Sequence, residues 1–449
     1  MTKFTQWFRE ATPYINAHRG KTFVVSLCGA ALGHANLLNI VHDLALLKTL
    51  GVRLVIVHGA RPQLDKVLPE PADAAALRIT TADDLAPLRQ TMGELRSLLE
   101  ARFAASLPGS PLYNSQISVI SGSFVVAKPV GIIDGVDYQF TGQVRSIRTE
   151  TLKAQLDLES LVLMSPVGYS RSGQLYNIAA EDLAAEVAIA IAADKLITFA
   201  AQPYICDAQG AALAELTPGA LDDLLAGLAA NHADRRRLQA MLYACRKGIP
   251  RCQQVSYQDD GALLAELFTA DGQGSQLAEA PYRNVRTATA ADLSEIIALI
   301  RPLEQRGALV RRSRDAIERD VTNFLVAEVD QQIVGCCALH PHGREFMELA
   351  CFATDSPAKS TAHPEIAPTP ARASIGEQLL AAAERECTRQ GFTRLFAMTT
   401  VAQDWFQEHG FNAINISELP AASRAAYDQA RNSRAYLKQL AEKQVHSRH

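Results

Sequence analysis

No apolar run in the 449 residues approaches the ~20 needed to cross a bilayer; residues 184–193 come nearest, and they are too few and carry Glu186. No membrane association is expected. The first 21 residues are charged throughout and lack an apolar core, so no secretory signal is expected and the location is read as cytoplasmic. There is no basic excess. Lys and Arg total 44 against 48 Asp and Glu, a net charge of -4, which argues against a nucleic-acid partner. Cysteine is sparse and badly spaced for chemistry. None of the eight forms a C-x-x-C pair or sits in a His cluster, so neither a disulfide framework nor a metal is expected, and buried free thiols are the simpler reading. What remains is ordinary globular material, 48% hydrophobic and 20% charged, which excludes a disordered chain, a coiled coil or a collagen-like fibre. At ~150 residues per domain the length suggests about three domains, or two if they are large α/β units.

The first half alternates strand and helix signals. Residues 5–18 read as an amphipathic helix with Phe8, Ala11 and Ile15 on one face, kinked or shortened by Pro13 and stopped by Gly20. Strands are expected at 22–27, 53–57, 161–164 and 195–199, with helices at 37–50 and 181–193. Two more strands are expected at 117–120 and 124–127, separated by Ser121-Gly122. This β-α-β order implies a parallel sheet with helices on both faces, running to about residue 277. Residues 280–284 read as a linker. The pattern then becomes α+β: a hairpin at 324–329 and 333–340, a strand at 345–353, a helix at 375–390, a strand at 394–399 and a short helix at 403–409. Between them lies a loop, 354–370, with Pro357, Pro364, Pro368 and Pro370. It can form neither helix nor sheet and reads as a mobile surface insertion.

The chemistry-bearing residues of the second half come in a fixed order. A strand carries Glu348. Arg372-Ala373-Ser374-Ile375-Gly376 then opens a long helix, where backbone N–H groups and the helix dipole suit a phosphate. A strand, a short helix and Trp405-Phe406-Gln407-Glu408-His409-Gly410-Phe411 close the series. Over residues 285–433 this order resembles the GNAT family of acetyl-CoA-dependent N-acetyltransferases. The resemblance implies an α+β fold whose splayed strand offers backbone N–H groups at Cys351, Phe352 and Ala353 to acetyl-CoA, with Arg372 and Gly376 at the pyrophosphate. Phe406 is read as core and Trp405 as a candidate for the acetyl pocket.

The segments 309–313 (Leu-Val-Arg-Arg-Ser), 348–351 (Glu-Leu-Ala-Cys), 431–433 (Arg-Asn-Ser) and 19–22 (Arg-Gly-Lys-Thr) resemble the bacterial N-acetylglutamate synthases. Residues 57–63 resemble the glycine-rich turn of amino-acid kinases, and 256–276 the arginine-sensitive members of these families. Together these imply a three-layer αβα amino-acid-kinase-like domain at 1–280 with a mainly parallel sheet, its first 20 residues a helix. An acetyltransferase domain at 281–449 would follow. The implied reaction moves acetyl from acetyl-CoA to the α-amino group of L-glutamate, the first step of arginine synthesis, with L-arginine as feedback inhibitor. A homo-oligomer, a hexamer of interlaced dimers, is implied as well.

Glu348 is placed as the general base that frees the α-amino group, directly or through water; the plainer reading is a strand carboxylate in an ion pair. Direct transfer needs no acyl-enzyme, so Cys351 is read as packing. Thr399 or Thr400 is a candidate to hydrogen-bond the departing thiolate, and Thr400 is the residue chosen. Planar guanidinium groups suit the two carboxylates of glutamate, which points to Arg312 beside Arg311, to Arg431 with Ser433, and more weakly to Arg424. In the first half, active acetylglutamate kinases carry a Lys and paired glycines after the first strand. Here 26–31 has no Lys and one Gly, and Ala60 and Arg61 stand where kinases have glycines. A kinase fold without kinase activity, sensing arginine, is therefore expected. Glu266 would pair the effector's guanidinium and the backbone around Gly272 and Gly274 its carboxylate, with Lys195 and Tyr257 of second rank. The rival readings are an acetylglutamate kinase and a non-catalytic arginine-binding regulator.

Overall fold

The computed structural model describes residues 3–440 except 70–75, 107, 109, 111, 270–271, 280–282, 330–331, 355–374, 426 and 428–430. Arg372 and the proline-rich stretch from 355 onward lie outside the described residues. The chain divides into two compact units, Met1–Pro281 and a second opening at Tyr282.

The first unit is built on near-continuous apolar runs. Thr22–Leu27, Arg53–His58, Leu161–Met164 and Lys195–Ala200 are buried along almost their whole length, as strands covered on both faces must be. They sit in an eight-stranded sheet ordered Glu215–Leu216, Ser275–Leu277, Cys252–Ser256, Lys195–Ala200, Thr22–Leu27, Arg53–His58, Leu161–Met164, Val119–Ile120. Every neighbour is parallel except Ser275–Leu277 against Cys252–Ser256. Side chains alternate between two cores. Phe23, Val25 and Leu27 face the helices Leu37–Thr49 and Leu85–Ala104; Val24, Val55 and Val57 face Ala180–Ile191 and Arg235–Arg246. That is the expected three-layer αβα arrangement.

One expectation needs correction. Pro13 does not shorten the first helix, which runs Lys3–His18. Its C-terminal end is anchored: the buried His18 ring packs edge-on against Phe23 and Phe268, 5.4 and 5.7 Å between centroids, and its Nε2 lies 2.9 Å from the Leu267 carbonyl. Such packing offsets the ~3 kcal/mol cost of an interior proline. The two strands expected at 117–120 and 124–127 both form, and they join different sheets. Val119–Ile120 edges the main sheet, whereas Val125–Pro129 closes a small barrel with Thr141–Ile147, Val167–Tyr169 and Leu175–Ile178.

The second unit is a seven-stranded sheet ordered Arg283–Thr287, Phe324–Val329, Gln332–His342, Phe346–Thr354, Arg394–Thr399, Arg434–Gln439, Asn412–Ile414. The first strand takes up part of the expected linker. Arg286 on it grips Asp292 with both terminal nitrogens, at 2.7 and 2.9 Å, and holds that carboxyl well below the usual carboxylate range. The helix Leu293–Gln305 covers one face and Ile375–Gln390 the other. Gly335 lets the second helix close in, because a Cβ there would stand 2.8 Å from Ile375 Cγ2.

Candidate active site

Phe346–Thr354 and Arg394–Thr399 are the parallel neighbours of the second sheet. They pair at Phe346↔Arg394, Met347↔Leu395 and Glu348↔Phe396, and then part. Glu348 stands where the fork begins. Beyond it, no further pair joins the two strands among the described residues. The other edge, toward Gln332–His342, carries a β-bulge: Ala338 pairs Ala350, but Cys336 pairs Ala353. The surplus residue coincides with Cys351, held at φ +50°, a left-handed conformation unusual for a side chain of this kind. The bulge changes which residues face which core. Met347 and Leu349 pack toward the Ile375–Gln390 helix, and after the bulge it is Phe352 that does so, while Cys351 and Ala353 face the opposite core. Burial pushes the Cys351 thiol up to about 11, which suits packing and not attack.

Glu348 is not alone. Its Oε2 is 2.9 Å from His342 Nε2, and His342 Nδ1 is 3.3 Å from Ser423 Oγ. His340, directly across the sheet from Glu348, accepts at Nε2 from the Arg312 guanidinium at 3.1 Å. Burial, then the Arg312 charge, holds the His340 pKa below its ordinary value. Arg312 N donates to Glu304 Oε1 at 2.8 Å, which ties down the segment after the Leu293–Gln305 helix. The guanidinium of Arg431 donates to the Gly307 and Ala308 carbonyls at 3.1 and 3.2 Å, so it steadies the same segment. Ser433 is buried, and its carbonyl accepts from Tyr427. Among the described residues, the Arg424 guanidinium reaches the Ser417 carbonyl, at 3.5 Å.

At the far side of the fork, Thr399 Oγ accepts from the Val401 and Ala402 amides, at 3.2 and 2.9 Å, leaving its own proton to donate; Thr400 beside it is half-buried. Trp405 packs on Phe352 and stacks on His409 at 4.2 Å, while Phe406 is core. Gly376 is buried in the first turn of its helix. The parting strands, the first turn of the Ile375–Gln390 helix with Gly376 in it, and Glu348 on the last shared rung are the described parts of the site that the sequence assigns to acetyl-CoA. Sequence reasoning missed His340, His342 and Ser423. The two histidines, at i and i+2 on a strand, shared one face with Glu348 across the hairpin, and that spacing was visible.

The first unit shows why its kinase-like turns are closed. A Cβ on Gly59 would stand 2.6 Å from Gly29 N, and one on Gly29 would meet Pro62 Cδ at 2.8 Å. Gln63 seals the pair by donating to the Gly29 carbonyl at 2.7 Å. A crevice of about 310 Å³ remains beside these turns, reached by Arg61, Arg78, Asn177 and Arg236.

The effector candidates divide. Lys195 opens its strand opposite Phe23, with Nζ 5.7 Å from that ring. Glu266 lies at the same end of the sheet, accepting from Gln253 Nε2 at 2.6 Å and from the Gln273 amide at 2.8 Å. Gly272 has φ +61°, and a Cβ on Gly274 would fall 2.2 Å from the Gln254 carbonyl. Tyr257 does not join them. It follows the C-terminal end of the strand Cys252–Ser256, and its ring meets His34 while its carbonyl accepts from Asn36. A strand of this length carries it ~17 Å from the end where Lys195 begins. The residues that do join are His18, Phe23, Gln253 and Gln276. Gln253 Oε1 and Gln276 Nε2, on directly paired positions, are buried without a hydrogen-bond partner among the described residues.

Two family models match the chain. Residues 21–252 match the amino acid kinase family and residues 292–411 the acetyltransferase (GNAT) family. An amino-acid acetyltransferase of Ectopseudomonas mendocina is 42% identical over 98% of this chain and 100% of its own. One from Vibrio cholerae is 39% identical over 98% of this chain and 99% of its own. N-acetylglutamate synthase from Neisseria gonorrhoeae, solved with coenzyme A and L-arginine, superposes with a TM-score of 0.79 at 33% identity, covering 98% of this chain and 100% of that one. The same enzyme with coenzyme A and N-acetyl-glutamate gives 0.62. Fold, fork and relatives converge: the chain belongs to the amino-acid acetyltransferases, enzymes in which an amino-acid-kinase-fold unit precedes a GNAT unit that uses acetyl-CoA.

Proposed function

We propose that the chain makes N-acetyl-L-glutamate from acetyl-CoA and L-glutamate in the cytoplasm, as the first step of arginine synthesis, and that L-arginine inhibits it. The observation that carries the reading is Glu348 at the apex of the fork, with the Arg312 guanidinium held one strand away by His340. A dicarboxylate amino acid fits that pairing. Arg312 meets a carboxylate; Glu348 takes a proton from the α-ammonium; the freed amine attacks the acetyl carbonyl as the C–S bond breaks toward sulfur. Backbone N–H groups on the open edge beyond Glu348 stabilise the oxyanion. A threonine hydroxyl, Thr400 or Thr399, is placed to donate to the departing thiolate. Arg431 and Ser433 complete the substrate side, Arg431 by holding the loop that carries Arg312.

In this reading residues 1–280 sense arginine and 281–449 carry the chemistry, with copies assembling as a hexamer. Glu266 supplies the carboxylate for the effector's guanidinium. The unpartnered Gln253 Oε1 and Gln276 Nε2 add one acceptor and one donor beside it, which suits a ligand with both a cationic and an anionic end. Lys195, Gly272 and Gly274 frame the same end; Tyr257 is too far to be a direct partner. The closed Gly29–Gly59 contact weighs against phosphate transfer. Thiol release from acetyl-CoA, measured with and without glutamate and then with arginine, tests the proposal. Release that ignores glutamate, or ATP turnover with acetylglutamate, would sink it.

A further inference from the structure

We infer that His342 is a positioning residue for Glu348, held in one tautomer by Ser423. This rests on the reading of Glu348 as base. An ionised carboxylate can only accept hydrogen bonds, so the 2.9 Å contact requires the proton on His342 Nε2. A neutral imidazole then presents Nδ1 as an acceptor, and Ser423 Oγ at 3.3 Å is the hydroxyl that can donate to it. The chain of donors therefore runs one way, Ser423 to His342 to Glu348, and ends on the carboxylate at the fork. A ring oriented from its second nitrogen is a device for fixing both tautomer and direction.

The surroundings make this more than a surface ion pair. The side chains of His342 and Glu348 are each only 18% exposed, and Ser423 is buried at 3%. The ring packs against Phe396 at 5.6 Å, and Phe396 is the residue paired with Glu348 at the last rung before the strands part. The groups facing His342 are Glu348 from the neighbouring strand, Ser423 from the short helix Ala421–Ala425, and His340 two residues back on its own strand with Arg312 beyond it. Glu348 Oε2 is thus bound from the side, and among the described residues no hydrogen bond engages Oε1.

The test uses the full chain and two substitutions, His342→Leu and His342→Gln, with Glu348→Gln as reference. Losing a hydrogen bond to a charged group should lower kcat in His342→Leu by about tenfold to a hundredfold. KM for acetyl-CoA should stay unchanged, and the acid limb of kcat/KM for glutamate should move to higher pH. His342→Gln, which keeps an N–H donor, should recover most of the loss. In the Glu348→Gln background, His342→Leu should cost little more. Unchanged kcat and pH profile in His342→Leu overturns the inference. So does an equal loss in both His342 variants with an unmoved acid limb, which marks a purely structural role. Full activity in Glu348→Gln instead removes the base reading itself. Coenzyme A titration identifies any variant that fails to fold, and His342→Gln then decides by its pH profile.

Discussion

His58 offers the most quantitative test of the first unit. It ends the strand Arg53–His58, fully buried, with Nδ1 3.1 Å from the Gly59 carbonyl and Nε2 2.8 Å from Ser165 Oγ. A carbonyl only accepts, so Nδ1 carries the proton and Nε2 accepts from Ser165: both nitrogens are satisfied by the neutral ring. Burial, aided by the Arg96 charge, pushes its pKa from 6.5 to about 4. Between those values the unfolded chain binds a proton that the folded chain refuses. The His58 contribution is therefore complete above pH 6.5 and is lost as pH falls toward 4. The difference amounts to about 3 kcal/mol, or roughly a hundredfold in the folding equilibrium.

Asp43 masks this in the wild type. Burial, then the Asp260 charge, raises its carboxyl from 3.8 to about 7, so its contribution is complete below 3.8 and is lost as pH rises to 7. The two slopes oppose each other over nearly the same window. A His58→Gln variant separates them. Hydrogen exchange of the amides in Arg53–His58, corrected for intrinsic chemistry, should show the wild-type advantage over the variant shrinking by about 3 kcal/mol between about pH 7.5 and about pH 4. A gap that stays constant with pH would refute the reasoning.

The remaining predictions concern the two sites. Glu348→Gln should cut turnover by about a hundredfold or more while leaving coenzyme A affinity nearly intact, measured by steady-state kinetics and calorimetry. Glu266→Gln should remove arginine inhibition and keep glutamate acetylation; an unchanged inhibition curve would misplace the effector. Gly274→Ala drives a methyl into the Gln254 carbonyl and should cost about 1–3 kcal/mol, seen as a lower Tm together with a weakened arginine response. Arg431→Ala frees the Gly307 and Ala308 carbonyls and should raise KM for glutamate about tenfold, the lost loop anchor being comparable to a charged hydrogen bond.

The main strands were legible because burial on both faces writes itself as uninterrupted Val, Leu and Ile, as in Leu54 to Val57. The small barrel was not, because strands such as Thr141–Ile147 are half-exposed and carry polar residues through most of their length. Glu348 and the Arg312 segment could be found from local motifs. Tyr257 could not be placed, because it adjoins the Glu266 motif in sequence while the direction of its strand sends it to the other end of the sheet. His342 depends on a pairing across a hairpin, and Cys351 adopts its left-handed backbone without the Gly or Asn that usually announces one.

The bulge at Cys351 makes the number of residues in this strand a constraint separate from their identity. With Cys351 removed, Phe352 would stand opposite Cys337 and Ala353 would keep Cys336, so the residues beyond would hold their faces and the strand would lose only its kink. Substitutions here are local events. A deletion of Cys351 would straighten the strand just past Glu348 while leaving its two cores in place, so length here sets the direction of the strand and not the order of its faces.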